Sequence, residues 1–182
     1  VFPKWAERLG FGACAIKGIY LEIHDQSERY REVVSFIKHD PLSLGALVTT
    51  HKIDLLRASR DLFDGLDDFA ALMGEASAIS KRDGKLFAGA KDPVTSGLAL
   101  DDFLPPGYWH ETPAHAFVMG AGGSSIALVS HIAGSAHRDD RPARIVVSNR
   151  SPGRLGEMRD INARQGFDTP VEYVHTPRPE DN

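Results

Sequence analysis

Cysteine is almost missing: Cys14 stands alone among 182 residues, so no internal disulfide can form and no thiolate zinc cluster is available. We expect Cys14 to behave as a small buried apolar residue. No apolar run approaches the roughly 18 to 20 residues that cross a bilayer, and no basic-then-apolar leader is visible. Positive charge is not in excess either. The net charge of −4 leaves no global basic field to draw in nucleic acid. The histidines, among them His110, His115, His131 and His137, show no H-E-x-x-H or comparable ligand spacing. Asp61, Asp64, Asp67 and Asp68 lack the spacing of a calcium loop and read as a solvated helix face, so no metal is assigned. These absences point to a cytoplasmic protein without a nucleic-acid or membrane partner, and leave the oligomeric state open.

What is present is an ordinary globular composition, 42% hydrophobic and 25% charged, in a length that suits one large domain or two small ones. The chain begins inside an apparent helix, VFPKWAERLG, and stops at HTPRPEDN soon after an apolar run. Both ends look cut, and we expect a piece of a longer protein.

Residues 4–9 read as the end of a helix that Gly10 and Gly12 stop. GIYLEIH (18–24) alternates and reads as a strand. SERYREVVSFIKH (27–39) has Ser27 in an N-cap position, with Tyr30, Val33, Val34 and Ile37 at helical spacing. LGALVTT (44–50) reads as a strand covered on both faces. Residues 54–74 read as helical segments broken at Gly65, 76–90 as a hairpin turning at Asp83-Gly84, and 96–104 as a short helix.

Pro105-Pro106-Gly107 and the loop GYWHETPA mark the best domain boundary, with Tyr108 and Trp109 placed to anchor the two parts. The expected division is 1–104 and 105–182. After it the pattern alternates: strand 114–120, helix 123–136, strand 143–149, helix 152–166 with Pro152 in its first turn, strand 170–176. Such β-α-β-α-β succession implies α/β architecture with a parallel sheet.

VMGAGGSS supplies Gly120-x-Gly122-x-x-Ser125 where a strand turns into a helix. Glycine at 120 permits the tight turn, and glycine at 122 lets a pyrophosphate approach the backbone. The helix start then offers N–H groups and a positive dipole end. Gly120, Ala121, Gly122, Gly123 and Ser124 are therefore candidate cofactor-binding residues. At the end of the second strand stands SNRSPGR, without the acid that would hold a ribose 2′-hydroxyl. Asn149, Arg150, Ser151 and Arg154 instead suit a 2′-phosphate, which points to NADP.

With these residues in view, the order of motifs resembles the shikimate dehydrogenase family. That family carries G-x-N-V-T-x-P-H-K, G-A-V-N-T, G-x-N-T-D-x-x-G, G-A-G-G-A and N-R-T-x-x-R. This chain has GALVTTHK (45–52), GEASA (74–78), GAKDPVTSG (89–97), GAGGS (120–124) and NRSPGR (149–154) in the same order. The resemblance implies an N-terminal α/β substrate domain followed by a Rossmann-type NADP-binding domain, incomplete here. It implies an NADP-dependent alcohol dehydrogenase of aromatic amino acid biosynthesis, interconverting 3-dehydroshikimate and shikimate or a relative. It further implies Lys52 and Asp92 as the catalytic pair, with Thr49 and Ser77 facing the small-molecule substrate; His51 we read as structural, orienting the turn. The chain departs from the pattern at Leu47 and Ser77, where the family has asparagine, at Thr50, where it has proline, and by a one-residue gap before Asp92. Leu47, Ser77 and that gap speak for a second reading, a non-catalytic NADP-binding or regulatory protein with a drifted cleft, and the retained Thr49, Lys52 and Asp92 speak against it. A third is another two-domain dehydrogenase acting on a folate or quinate-like substrate.

Overall fold

A computed structural model describes residues 2–112, 114–134 and 139–178. Two sheets organise it. The first has the order β1-β3-β4-β2 and the second β5-β6-β7.

Helix α1 (Phe2–Arg8) ends at Gly10 and Gly12, both at positive φ, as the sequence implies. Residues 18–24 do not form the expected strand. Only Leu21 is buried there, while Ile19, Tyr20 and Ile23 stay exposed, and among the described residues no strand pairs with the segment to form a ladder. Cys14, in the same irregular stretch, is half-buried instead of buried, its Sγ 3.2 Å from the Phe11 carbonyl oxygen.

Helix α2 (Ser27–His39) buries Tyr30, Val34 and Ile37 at helical spacing. Its N-cap is Gln26, one residue earlier than expected, with no side-chain cap. Strand β1 (Gly45–Leu47) is shorter than its apolar run and lies at the sheet edge, so Leu47 faces solvent and the strand is not covered on both sides. It pairs antiparallel with β3 (Ala78–Arg82), Gly45 opposite Ser80. Gly45 has φ +148°, and a β-carbon there would fall on the Ile79 carbonyl oxygen.

Between these strands the chain forms α3 (Lys52–Ser59), a 3-10 turn at Arg60–Leu62, the short β2 (Gly65–Leu66) and α4 (Asp68–Met73). Of the four acids read as a solvated face, Asp68 is exposed, whereas Asp61 and Asp64 meet cations that α2 presents to them. Arg31 hydrogen-bonds Asp61 and holds its carboxyl down at about 2. Asp64 accepts from the Leu86 N–H at 2.8 Å and Lys38 Nζ at 3.1 Å, and both keep its carboxyl below the usual range. The hairpin closes as expected: β3 and β4 (Lys85–Gly89) pair antiparallel around Asp83 and Gly84, both at positive φ. Leu86, Val34, Tyr30 and Ile79 centre the core of this part.

Helix α5 (Asp92–Phe103) begins at Asp92, four residues before the expected start, with Pro93 in its first turn where proline costs no hydrogen bond. It packs closely on α7, because Gly97 leaves the space that the His131 ring fills. A short helix, α6 (Tyr108–Glu111), occupies the linker. The Asp140 carboxylate accepts from the N–H groups of Gly107, Trp109 and His110 at 2.8–2.9 Å. Trp109 packs on the second core, with Tyr108 edge-on to it.

Then come β5 (Ala116–Met119), α7 (Gly123–Ala133), β6 (Ile145–Asn149), α8 (Pro152–Gln165) and β7 (Val171–His175). The strands are parallel, Val118 opposite Val147 and Val147 opposite Tyr173. Ser135 and Ala136, expected to end α7, and His137 lie outside the described residues. Ile145, Val147, Val129 and Met158 form the centre of the second core, to which Met73 of α4 also belongs.

Candidate active site

Lys52 is the first residue of α3, and Asp92 the first of α5. A cation at a helix start opposes the macrodipole, whereas a carboxylate there is favoured. Helix stability therefore explains Asp92 but not Lys52. The two side chains meet directly, Lys52 Nζ donating to Asp92 Oδ2, and each is a little over one-fifth exposed. That exposure shields the pair from bulk water yet leaves it within reach of a ligand.

Each partner is held from behind. The Ala76 N–H donates to the Lys52 carbonyl at 3.1 Å. His51 lies with Nδ1 3.1 Å from the hydroxyl of Tyr30, a side chain 1% exposed, which fixes the turn after β1. The loop leading to Asp92 is fastened on both sides. Ser77 Oγ donates to the Gly89 carbonyl and accepts from the Lys91 N–H at 2.7 Å. Asp67 caps α4, accepting from Ala70, and also takes the Ala90 N–H and Lys91 Nζ, the last at 2.6 Å. Burial works against the Asp67 carboxylate, but Lys91 and those N–H groups outweigh it and hold its pKa below the usual range.

Ser77 is thus placed behind the dyad: buried, its hydroxyl is engaged with the backbone that delivers Asp92. Thr49 lies exposed at the end of β1, two residues past Leu47.

The glycine turn follows β5. Gly120 has φ +105°, and its N–H donates to the Ser148 carbonyl at 2.7 Å, tying the turn to β6. Ala121 is buried and Gly122 is the N-cap of α7, extended and without a side-chain cap. A β-carbon added at Gly122 would meet no atom of the chain. Gly123 and the exposed Ser124 open the helix, so their N–H groups have no intrahelical partner. An uncapped helix start beside an open glycine cradle fits a phosphate-bearing cofactor.

At the end of β6, Asn149 Nδ2 donates to the Ser151 carbonyl at 3.2 Å. Ser151 is the N-cap of α8, its Oγ accepting from the Arg154 N–H, so the hydroxyl proton is left to donate elsewhere. Arg150 is exposed, and its carbonyl lies 3.1 Å from His175 Nε2. Arg154 pairs with Glu157 at 2.8 Å along its own helix.

One residue escaped the sequence reading. Glu75, where the resembled motif has alanine, is 3% exposed, and its Oε1 has no hydrogen-bond partner among the described residues. Burial pushes its carboxyl pKa up, Lys52 opposes that shift, and Asp92 adds to it. Its Oε2 lies 2.9 Å from the place a β-carbon would take at Gly123. Glu75 therefore lies within electrostatic reach of the dyad and against the glycine turn. The available signal was an acid standing in a motif of small residues.

A mixed sheet followed by a parallel one, with a glycine turn between β5 and α7, makes a two-part α/β fold with a Rossmann-type second part. More particularly, it is the shikimate dehydrogenase fold. The Mycobacterium tuberculosis shikimate dehydrogenase superposes with a TM-score of 0.67 at 21% identity, covering 93% of this chain and 56% of that one. Shikimate 5-dehydrogenase from Listeria monocytogenes, in complex with shikimate and NAD, gives 0.67 at 17% identity over 96% and 55%. A shikimate dehydrogenase in complex with NADP+ gives 0.59 at 22% over 80% and 47%. The chain thus spans about half the length of the solved structures it matches. No protein-family model and no curated protein matches it. Among the described residues no helix is long and apolar enough to cross a membrane, and no cluster of three or more His, Cys, Asp or Glu is arranged for a metal.

Proposed function

We propose that this chain carries the active site of an NADP-dependent oxidoreductase that interconverts a ring ketone and its alcohol on a small cyclic hydroxy acid, shikimate or a relative. The observation that carries the reading is the meeting of Lys52 with Asp92. When bound, the nicotinamide would supply the hydride. Gly120 to Ser124 would hold its pyrophosphate, and Arg150 with Asn149, Ser151 and Arg154 the 2′-phosphate side of the adenosine. NADP complexes are known among the matched folds, as are NAD complexes, so the choice of NADP rests on Arg150 and the lack of an acid at the β6 end.

In this reading residues 1–104 form the substrate side and 105–182 the cofactor side. Hydride addition to a carbonyl carbon leaves negative charge on oxygen. Lys52 donates a proton to that oxygen, and in the reverse direction it takes the hydroxyl proton. Asp92 keeps the ammonium oriented and stabilises its charge. Thr49 presents a hydroxyl to the substrate, whereas Ser77 acts through the loop it holds. Leu47 removes an amide the resembled motif has, which shifts preference toward a substrate with an apolar edge at that point. The test is turnover: oxidation of NADPH by the full-length protein across a panel of cyclic keto acids, with no activity on any member contradicting the proposal.

Arg150→Ala is expected to weaken NADP+ binding by about tenfold to a hundredfold, the worth of a charge-assisted hydrogen bond, and to leave NAD+ binding unchanged. Calorimetric titration with both nucleotides checks this. Equal losses for both would remove Arg150 from 2′-phosphate recognition.

A further inference from the structure

Glu75 sits where the two halves of the proposed site touch. It is 3% exposed, Oε1 has no partner, and Oε2 faces Gly123, the first residue of α7. A buried carboxyl oxygen left without a partner, as Oε1 is among the described residues, is destabilising, more so when the group is ionised, and packing alone would favour an apolar residue there. The charged groups that face it are few. Lys52, from the start of α3, favours the carboxylate; Asp92, from the start of α5, disfavours it. Lys91, between β4 and α5, is drawn away to Asp67. The first turn of α7 presents no acidic side chain, only backbone N–H groups and its positive dipole end.

A phosphate drawn to those N–H groups would lie beside Glu75. An ionised Glu75 repels it, whereas a neutral carboxylic acid donates its O–H to a phosphate oxygen. We infer that Glu75 gates the dinucleotide by proton: the ligand binds the form of the chain in which Glu75 is protonated, with the Glu75 hydroxyl donating to a ligand oxygen at the start of α7. This rests on the proposed dinucleotide site and adds to it a residue the resembled motif does not contain. The sign follows from linkage. Added negative charge raises the proton affinity of Glu75, so binding takes up a proton wherever the free chain has Glu75 ionised. Affinity then falls with rising pH, by up to about tenfold per pH unit.

The test is isothermal titration of the full-length protein with NADP+ from about pH 6 to about pH 9, in two buffers of different ionisation enthalpy, for wild type and Glu75→Gln. Wild type is expected to take up a proton and lose affinity as pH rises. Glu75→Gln is expected to bind more tightly at the upper end, with only the pH dependence that the ligand's own 2′-phosphate imposes on both proteins. Should Glu75→Gln not fold, Glu75→Ala carries the same expectation. Matching pH profiles and equal proton uptake in variant and wild type would overturn the gate while leaving the dinucleotide site standing. No NADP+ binding by either protein at any pH would overturn the dinucleotide reading and the gate together.

Discussion

Lys52→Ala is expected to cut ketone reduction by about 10²- to 10⁴-fold, the usual worth of a positioned proton donor, while NADP+ binding stays near wild type. The asymmetry comes from geometry. Lys52 lies at the start of α3 and spends its ammonium on Asp92, whereas the glycine turn belongs to the second sheet. Asp92→Asn should be milder, since the amide still positions the lysine while the charge that steadies the ammonium is lost. Steady-state kinetics for turnover and calorimetry for binding separate the two effects. Loss of NADP+ binding alongside turnover would make Lys52 a structural residue. Unchanged turnover would remove it from the chemistry.

The second large effect concerns stability. Gly45→Ala should destabilise the chain by roughly 2–4 kcal/mol, combining an unfavourable φ with a collision against backbone. At φ +148° an L side chain is strained, and its β-carbon would fall on the Ile79 carbonyl, which cannot swing aside as a flexible side chain could. β1 must then shift away from β3, and the turn that bears His51 and Lys52 shifts with it. Denaturant unfolding would register a lowered midpoint; an unchanged midpoint would show that the edge strand contributes nothing to the fold. The same change should lower turnover more than the stability loss alone accounts for.

How much of this was legible beforehand depends on how local each signal is. The second half was read nearly residue by residue, because VMGAGGSS and SNRSPGR fix a strand, a turn and a helix start within a few positions. Asp83-Gly84 likewise encodes its own turn. The Lys52–Asp92 contact was legible only through resemblance, since no spacing rule joins residues 40 apart. Residues 18–24 misled because alternation describes a strand's faces, not whether a neighbour exists to pair with it. The start of α5 was placed at 96 because the apolar pattern begins there, although Asp92 and Pro93 both suit a helical first turn. Asp61 and Asp64 looked like solvated charge until α2 brought Arg31 and Lys38 to them. Glu75 and Ser77 became buried only through tertiary packing, and no window of sequence contains that information.

The measurement that bears most directly on the whole account is a fluorescence titration of the full-length protein with NADPH and with NADH. Saturable binding that favours NADPH is expected, with the preference for NADPH lost on Arg150→Ala and retained on Lys52→Ala. Binding of neither nucleotide would contradict it, leaving a dehydrogenase fold without the cofactor chemistry assigned to it.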